Sequence, residues 1–282
     1  MSQGSLMKQA VRKWQEDGLL STAIAARRLF WNRVTHPYNR YIRPQIIRWR
    51  LGDEVTIRGV TIVTNGVYMD STIREYLYTG EYEADEASAI DSYLLPEMDV
   101  VDFGACLGFT ACFTNKRLDS TSKHIAVEPN PQVQEALKAT RKRNNCEFDI
   151  VQKAYARGDG SIEIYPADSP WSASQYRPDT TPVSVETVSL ATLIEEYSLS
   201  NLAIIIDIEG AEAGLVEDEL EILEAYCDLL IIEFHDDKDD IEESQRVRIR
   251  DARNQLDASA FKLAESGRDV AVYVHSDRYP HG

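Results

Sequence analysis

From Val100 onward the chain alternates short apolar runs with longer amphipathic ones. Runs of four or five residues rich in Val and Ile read as buried strands. Stretches with apolar positions three and four apart read as helices. On that pattern Val100–Phe103, Lys123–Val127, Phe148–Gln152, Ser161–Tyr165, Leu202–Ile206 and Leu229–Ile232 are strands. Phe109–Arg117, Pro131–Arg143, Leu190–Tyr197, Ala211–Ala225 and Ser244–Leu256 are helices. Asn130 stands where an N-cap belongs, with Pro131 as the first helical residue. Phe261–Ala264 and Val270–Val274 have no helix between them and read as a closing antiparallel pair. Strands joined by helical crossovers predict a doubly wound α/β sheet, mostly parallel and covered on both faces.

The first hundred residues follow other rhythms. Residues 54–64 place β-branched runs on either side of Arg58-Gly59, which predicts a small hairpin. Residues 71–95 return to a helical period. Residues 5–50 are mostly helical, with Met7, Val11 and Trp14 on one face. Three regions follow: a helical N-terminal extension over 1–52, a hairpin and helix over 53–95, and the main α/β domain over 96–282.

Charge sharpens that division. The 282 residues carry a formal charge of −17, yet residues 1–50 hold ten Lys or Arg against Glu16 and Asp17. The basic extension suits contact with an anionic membrane face or packing on the acidic body. The acidic body repels phosphates, so no nucleic-acid partner is expected. An acidic excess with only 9 lysines among 30 basic residues matches salt-adapted (halophilic) proteins. The start of the chain lacks the apolar core of a secretory signal, and no apolar run is long enough to span a membrane. Cys106, Cys112, Cys146 and Cys227 form no C-x-x-C pair. Reduced thiols and a cytoplasmic location, with peripheral membrane contact through residues 1–50, are the expectation.

Four of the apolar strands end in a carboxylate: Asp102, Glu128, Asp207 and Glu233. In open α/β sheets ligands bind beyond the carboxyl ends of the strands, at the switch point. After Asp102 comes Phe103-Gly104-Ala105-Cys106-Leu107-Gly108. Gly104 permits a tight strand-to-helix turn with room for a ligand, and Gly108 permits close packing of the next helix on the sheet. Glu128, at the end of the next strand, is placed to accept hydrogen bonds from both hydroxyls of a ribose. These features point to a nucleoside, without separating NAD from S-adenosylmethionine.

The segments VVDFGACLGFTA, AVEPNP, IIIDIEGAE and LLIIEFH, in that order, resemble the FkbM-type methyltransferases. The likeness covers roughly residues 54–275 and includes Tyr82-Glu83 ahead of the first strand. The resemblance implies a Rossmann-like class I fold and S-adenosylmethionine as cofactor. It places the cofactor over Gly104, Ala105, Gly108 and Phe109, with its ribose on Glu128 and Asn130. Asp102 and Glu83 would face the methionine end, and Ala154 would border the adenine. It implies O-methylation of a hydroxyl or carboxyl on a sugar, glycan or other small molecule, which a lipid-linked acceptor would also satisfy. Asp207 leads as the residue that positions the acceptor or takes its proton, with Glu209, Glu212, Glu233 and His235 as secondary candidates. Glu212 reads as a solvated acid opening a helix. Metal binding by Asp207 and Glu209 is the other reading, but no His lies at ligand spacing and no metal is expected. The family usually has Asn at Cys106 and Lys at Ile205, departures that touch the cofactor loop and the acceptor side respectively. They keep alive a degenerate fold used for binding or scaffolding. An NAD-dependent oxidoreductase is the remaining alternative. The oligomeric state stays open.

Overall fold

The chain divides into two compact units, Met1–Leu51 and Gly52–Gly282. The computed structural model describes residue 47 and residues 52–64, 71–158, 160–165, 181–208, 210–235, 242–267 and 270–280. The helical patterns expected over 5–50 therefore lie, residue 47 apart, outside the described residues, as does Glu209.

The second unit opens with the expected hairpin, β1 (Glu54–Ile57) and β2 (Val60–Val63), paired antiparallel. Arg58 and Gly59 both have positive φ, 46° and 82°. That turn geometry matches the right-handed twist of the strands. The helical stretch expected over 71–95 is two helices, α1 (Ser71–Thr79) and α2 (Ala84–Tyr93). The break follows from backbone conformation: Gly80 at φ 77° leaves the helical region after α1, and Glu83 at φ 46° re-aims the chain before α2.

The core is a seven-stranded sheet. Its parallel members are β3 (Asp99–Phe103), β4 (His124–Val127), β5 (Asp149–Val151), β9 (Leu202–Ile206) and β10 (Cys227–Glu233). At one edge β12 (Val270–His275) runs antiparallel to β10, and β11 (Phe261–Ser266) is antiparallel to β12. The order across the sheet is β5-β4-β3-β9-β10-β12-β11. The crossover helices are α3 (Phe109–Asn115), α4 (Gln134–Arg143), α5 (Leu190–Tyr197), α6 (Glu212–Tyr226) and α7 (Glu243–Asp257). Strands β3, β4 and β9 are buried along their whole length, which is why they read as continuous apolar runs rather than as alternating ones.

Two details differ from the sequence reading. Helix α4 starts at Gln134, not at Pro131. Asn130 caps no helix: its side-chain oxygen accepts the Gln132 N–H at 3.0 Å across a turn. A second sheet, β6 (Ala154–Tyr155), β8 (Val183–Val188) and β7 (Ser161–Ile164), lies between β5 and β9 in the chain. Strand β8 had a period-two signal in Val183 and Val185 that the sequence reading passed over.

The chain winds outward from β3 to β5, then resumes at β9 on the other side of β3. The switch point thus falls between the carboxyl ends of β3 and β9, which end in Phe103-Gly104 and Ile206-Asp207.

Candidate functional site

Gly104 sits at that switch point with φ 99°. A Cβ built on it would lie 1.8 Å from the Asp207 carbonyl oxygen. The Asp207 N–H donates to the Phe103 carbonyl at 2.9 Å, so the two strand ends are stitched backbone to backbone. The neighbouring strand end by itself therefore requires Gly104. Gly108, at φ 83°, opens α3, and its absent Cβ would meet Leu137 Cδ1 of α4 at 2.7 Å. Here the sequence reading is corrected as well: Gly108 makes room for a neighbouring helix, not for the sheet.

Glu128 follows β4 and is buried. Its two oxygens are held separately: Oε2 accepts the Cys106 N–H at 2.9 Å and Oε1 accepts the Asn130 N–H at 2.7 Å. Gln134 Nε2 donates to the Glu128 carbonyl at 2.6 Å. Each carboxylate oxygen keeps a lone pair for a hydroxyl. Burial pushes the Glu128 carboxyl up to about 7, against those two N–H bonds, which pull it down. Cys106 presents its N–H from φ 43°, a left-handed conformation that favours Gly and Asn.

Glu83 reaches the same loop from the turn before α2. Its carboxylate accepts the Thr110 N–H at 3.1 Å and the Thr110 hydroxyl. Removal from water and the neighbouring Glu86 push Glu83 up to about 7. Tyr82 packs edge-on to Phe109 at 6.0 Å, and Phe109 stacks on Phe113 at 5.6 Å. Phe109 is fully buried, so it supports the loop instead of lining it. Ala154 packs in β6 with Ile164 and Val185, in the core of the small sheet. Ala105 lies in the turn, its carbonyl accepting the Gly108 N–H at 2.7 Å.

Asp102 is 2% exposed and its Oδ2 has no hydrogen-bond partner. Burial, with Glu83 and Glu128 nearby, holds its carboxyl well above the usual carboxylate range. Its register partner in β9 is Ile205. Ile205 also pairs with Ile231 of β10, so this departure stands between Asp102 on one side and the strand that ends in Glu233 on the other. No Lys or Arg among the described residues pairs with Glu83, Asp102 or Glu128. Three carboxyls with raised affinity for protons, one with an orphaned oxygen, suit a ligand that carries an ammonium, a sulfonium and a ribose diol.

Across the switch point, the structure joins residues that are far apart in sequence. Asp207 follows β9, Glu233 ends β10, and His235 lies two residues on. His235 Nδ1 donates to Glu212 at 2.5 Å, and its Nε2 lies 3.6 Å from both Asp207 and Glu233. Glu212 is fully buried and accepts the Gly210 N–H at 3.0 Å, so it is not the solvated helix-start acid of the sequence reading. Glu86 of α2, which no sequence signal singled out, is buried, and its carboxyl is pushed up by burial with Glu233 nearby pulling it down.

The strand order, the glycine turn at the switch point and the carboxylate after the second strand are those of a Rossmann-like methyltransferase fold. The sequence matches the methyltransferase FkbM domain over residues 102–263, more than half of the chain. The chain belongs to that family, and S-adenosylmethionine is its cofactor. No curated protein matches the sequence. Solved structures of similar fold include an O-methyltransferase of Bacillus cereus in complex with SAH, at 12% identity over 72% of this chain and 90% of that one, TM-score 0.42. An rRNA methylase of Streptococcus thermophilus is 12% identical over 67% and 92%, TM-score 0.41. A Corynebacterium glutamicum protein is 9% identical over 76% and 93%, TM-score 0.46.

Proposed function

We propose that the protein methylates an oxygen of a small-molecule acceptor, a hydroxyl of a sugar or glycan being the reading we favour. The observation that carries it is the Asp207–Glu233–His235 group at the ends of β9 and β10, one strand across from the Gly104 loop. The cofactor supplies a methyl group on a sulfonium, which needs an oxygen nucleophile in line and a place for that oxygen's proton. Glu128 holds the ribose diol, while Glu83 and Asp102 face the ammonium end. Asp207, stitched to Phe103, receives the acceptor oxygen and its proton. His235, fixed by Glu212, stands behind it. Fixing both reactants in one crevice supplies much of the rate, and the proton acceptor supplies about a hundredfold or more. In this reading the basic segment 1–50 brings the chain to acceptors displayed on an anionic membrane face.

The test begins with S-adenosylhomocysteine calorimetry in low and in molar salt, followed by transfer of labelled methyl to glycan extracts. Asp207→Asn should lower kcat about a hundredfold and leave S-adenosylhomocysteine affinity within about twofold. Undiminished turnover removes Asp207 from the reaction. A folded chain that binds no cofactor product in either salt is a scaffold, not an enzyme.

A further inference from the structure

We infer that Asp207, Glu233 and His235 form a binding site for a divalent transition-metal ion, and that this ion holds the acceptor oxygen. One ligand atom from each, Asp207 Oδ1, Glu233 Oε1 and His235 Nε2, lies within 4.8 Å of the other two. The two carboxylate–Nε2 separations are both 3.6 Å, too long for a hydrogen bond. With metal–ligand bonds of about 2.1 Å, adjacent ligand atoms stand about 3.0 Å apart in an octahedral site and about 3.4 Å apart in a tetrahedral one. The two His235–carboxylate separations are slightly longer than those of a coordination polyhedron and within reach of it by small side-chain adjustment.

The ring orientation points the same way. With Nδ1 on Glu212, Nε2 is turned toward two carboxylate oxygens, and in the neutral form with Nδ1–H given to Glu212 it presents a lone pair to them. Three electron-rich atoms then face one volume, an arrangement that a cation stabilises. Each arm is also held from behind. Glu212 fixes His235 and is itself fixed by the Gly210 N–H at 3.0 Å. Glu86 stands beside Glu233. The Asp207 backbone is tied to Phe103. Carboxylates behind a metal-ligating imidazole orient it and raise its basicity. One imidazole and two carboxylates suit Mn²⁺, Fe²⁺ or Zn²⁺ and leave coordination positions open for a substrate oxygen.

The role of the ion, though not the site, rests on the methyltransferase reading. An acceptor hydroxyl bound to the ion becomes more acidic. Its proton passes to the second Asp207 oxygen and then to water. The oxygen forms a bond to the methyl carbon as the carbon–sulfur bond breaks, and that electron pair stays on sulfur.

The probe is Mn²⁺ itself, titrated into the full chain after chelation and dialysis and followed by the electron paramagnetic resonance of the free ion. S-adenosylhomocysteine calorimetry runs in parallel. One Mn²⁺ per chain is expected. Asp207→Asn and His235→Gln should each weaken it at least tenfold, and Glu212→Gln about tenfold or more. The exposed Glu135→Gln should leave it unchanged, and cofactor-product affinity should hold throughout. Where circular dichroism shows a buried-site variant unfolded, the half-exposed Asp207→Asn decides. Cofactor-product binding without a stoichiometric Mn²⁺ overturns the site and makes His235 an imidazolium between carboxylates. Mn²⁺ binding that the three site variants do not lower also overturns it, as diffuse attraction to an acidic surface. Mn²⁺ binding without cofactor-product binding keeps the site and removes the methyltransferase role.

Discussion

The two halves of the strand-end crevice hold their carboxylates in opposite ways. On the cofactor half, Glu128 and Glu83 are gripped by backbone N–H groups of the Cys106, Asn130 and Thr110 turns. That grip is local, built by a glycine-rich turn and the loops beside it. On the acceptor half, Asp207, Glu233, His235 and Glu212 are organised by one another across three separate segments. The first half is set by fixed backbone. The second half is a side-chain assembly whose chemistry can change with single substitutions while the fold stays.

The hardest blow falls where the halves meet. Gly104→Ala drives a Cβ into the Asp207 carbonyl oxygen, which is backbone and has nowhere to go. The residue also carries φ 99°, strained for any side chain. The two effects together should cost about 3 kcal/mol or more, read as a large fall in Tm with loss of cofactor-product binding. Gly108→Ala is the comparison: it meets the end of a Leu137 side chain, which can shift, and should cost less. Equal losses would mean that the two strand ends are not the rigid joint that this geometry describes.

The cofactor half alone should answer to Glu128→Gln. The change keeps the shape, removes the charge and puts an amide NH₂ against a backbone N–H. Hydrogen bonds to a charged group are worth about 1.5–3 kcal/mol, so cofactor-product affinity should fall about tenfold to a hundredfold. The Mn²⁺ affinity of the acceptor half should not change. Loss of both would show the halves to be coupled.

The same contrast explains what could be read from the sequence. The parallel strands and their helices were legible because burial on both faces leaves runs such as Val100–Phe103 and Leu202–Ile206. The glycine turn and Glu128 were legible because they sit within one strand–turn–helix–strand unit. Glu212 was not, because its acid at a helix start looks the same in sequence whether solvated or bonded to His235. Gly104 was legible as the residue of a tight turn, but not the further reason for it, since the atom that excludes a Cβ belongs to Asp207, after a strand a hundred residues on. The neighbours of Ile205, Asp102 on one side and Ile231 on the other, were not legible because register is not written in any one strand.

A pH titration separates the two halves more gently. Glu128 and Glu83 titrate near 7 in the folded chain, against an ordinary value of 4.5, chiefly because burial disfavours the charge. The folded state therefore binds more protons than the unfolded one between those values. Their contribution to stability falls as pH rises from about 4.5 to about 7. The cofactor acts in the opposite sense, since a ribose diol and an ammonium favour the ionised carboxyls. S-adenosylhomocysteine affinity should rise about tenfold between pH 6 and pH 8, with proton release visible as a buffer-dependent calorimetric enthalpy. Glu128→Gln should flatten most of that rise. An affinity independent of pH would mean that the ribose does not rest on this carboxylate.

The smallest effect tests the loop backbone. Cys106 holds φ 43° while giving its N–H to Glu128. Asn adopts that conformation more readily than Cys. Relief of part of a strain of order 1 kcal/mol should make Cys106→Asn raise Tm by about 1–2 °C in a chain of this size. The thiol is buried and faces Tyr82, whose hydroxyl the new amide can also meet. Cofactor affinity should therefore hold or improve, because the donor to Glu128 is the backbone and not the side chain. A drop in both Tm and affinity would mean that the Cys106 side chain, rather than its conformation, is what this loop requires.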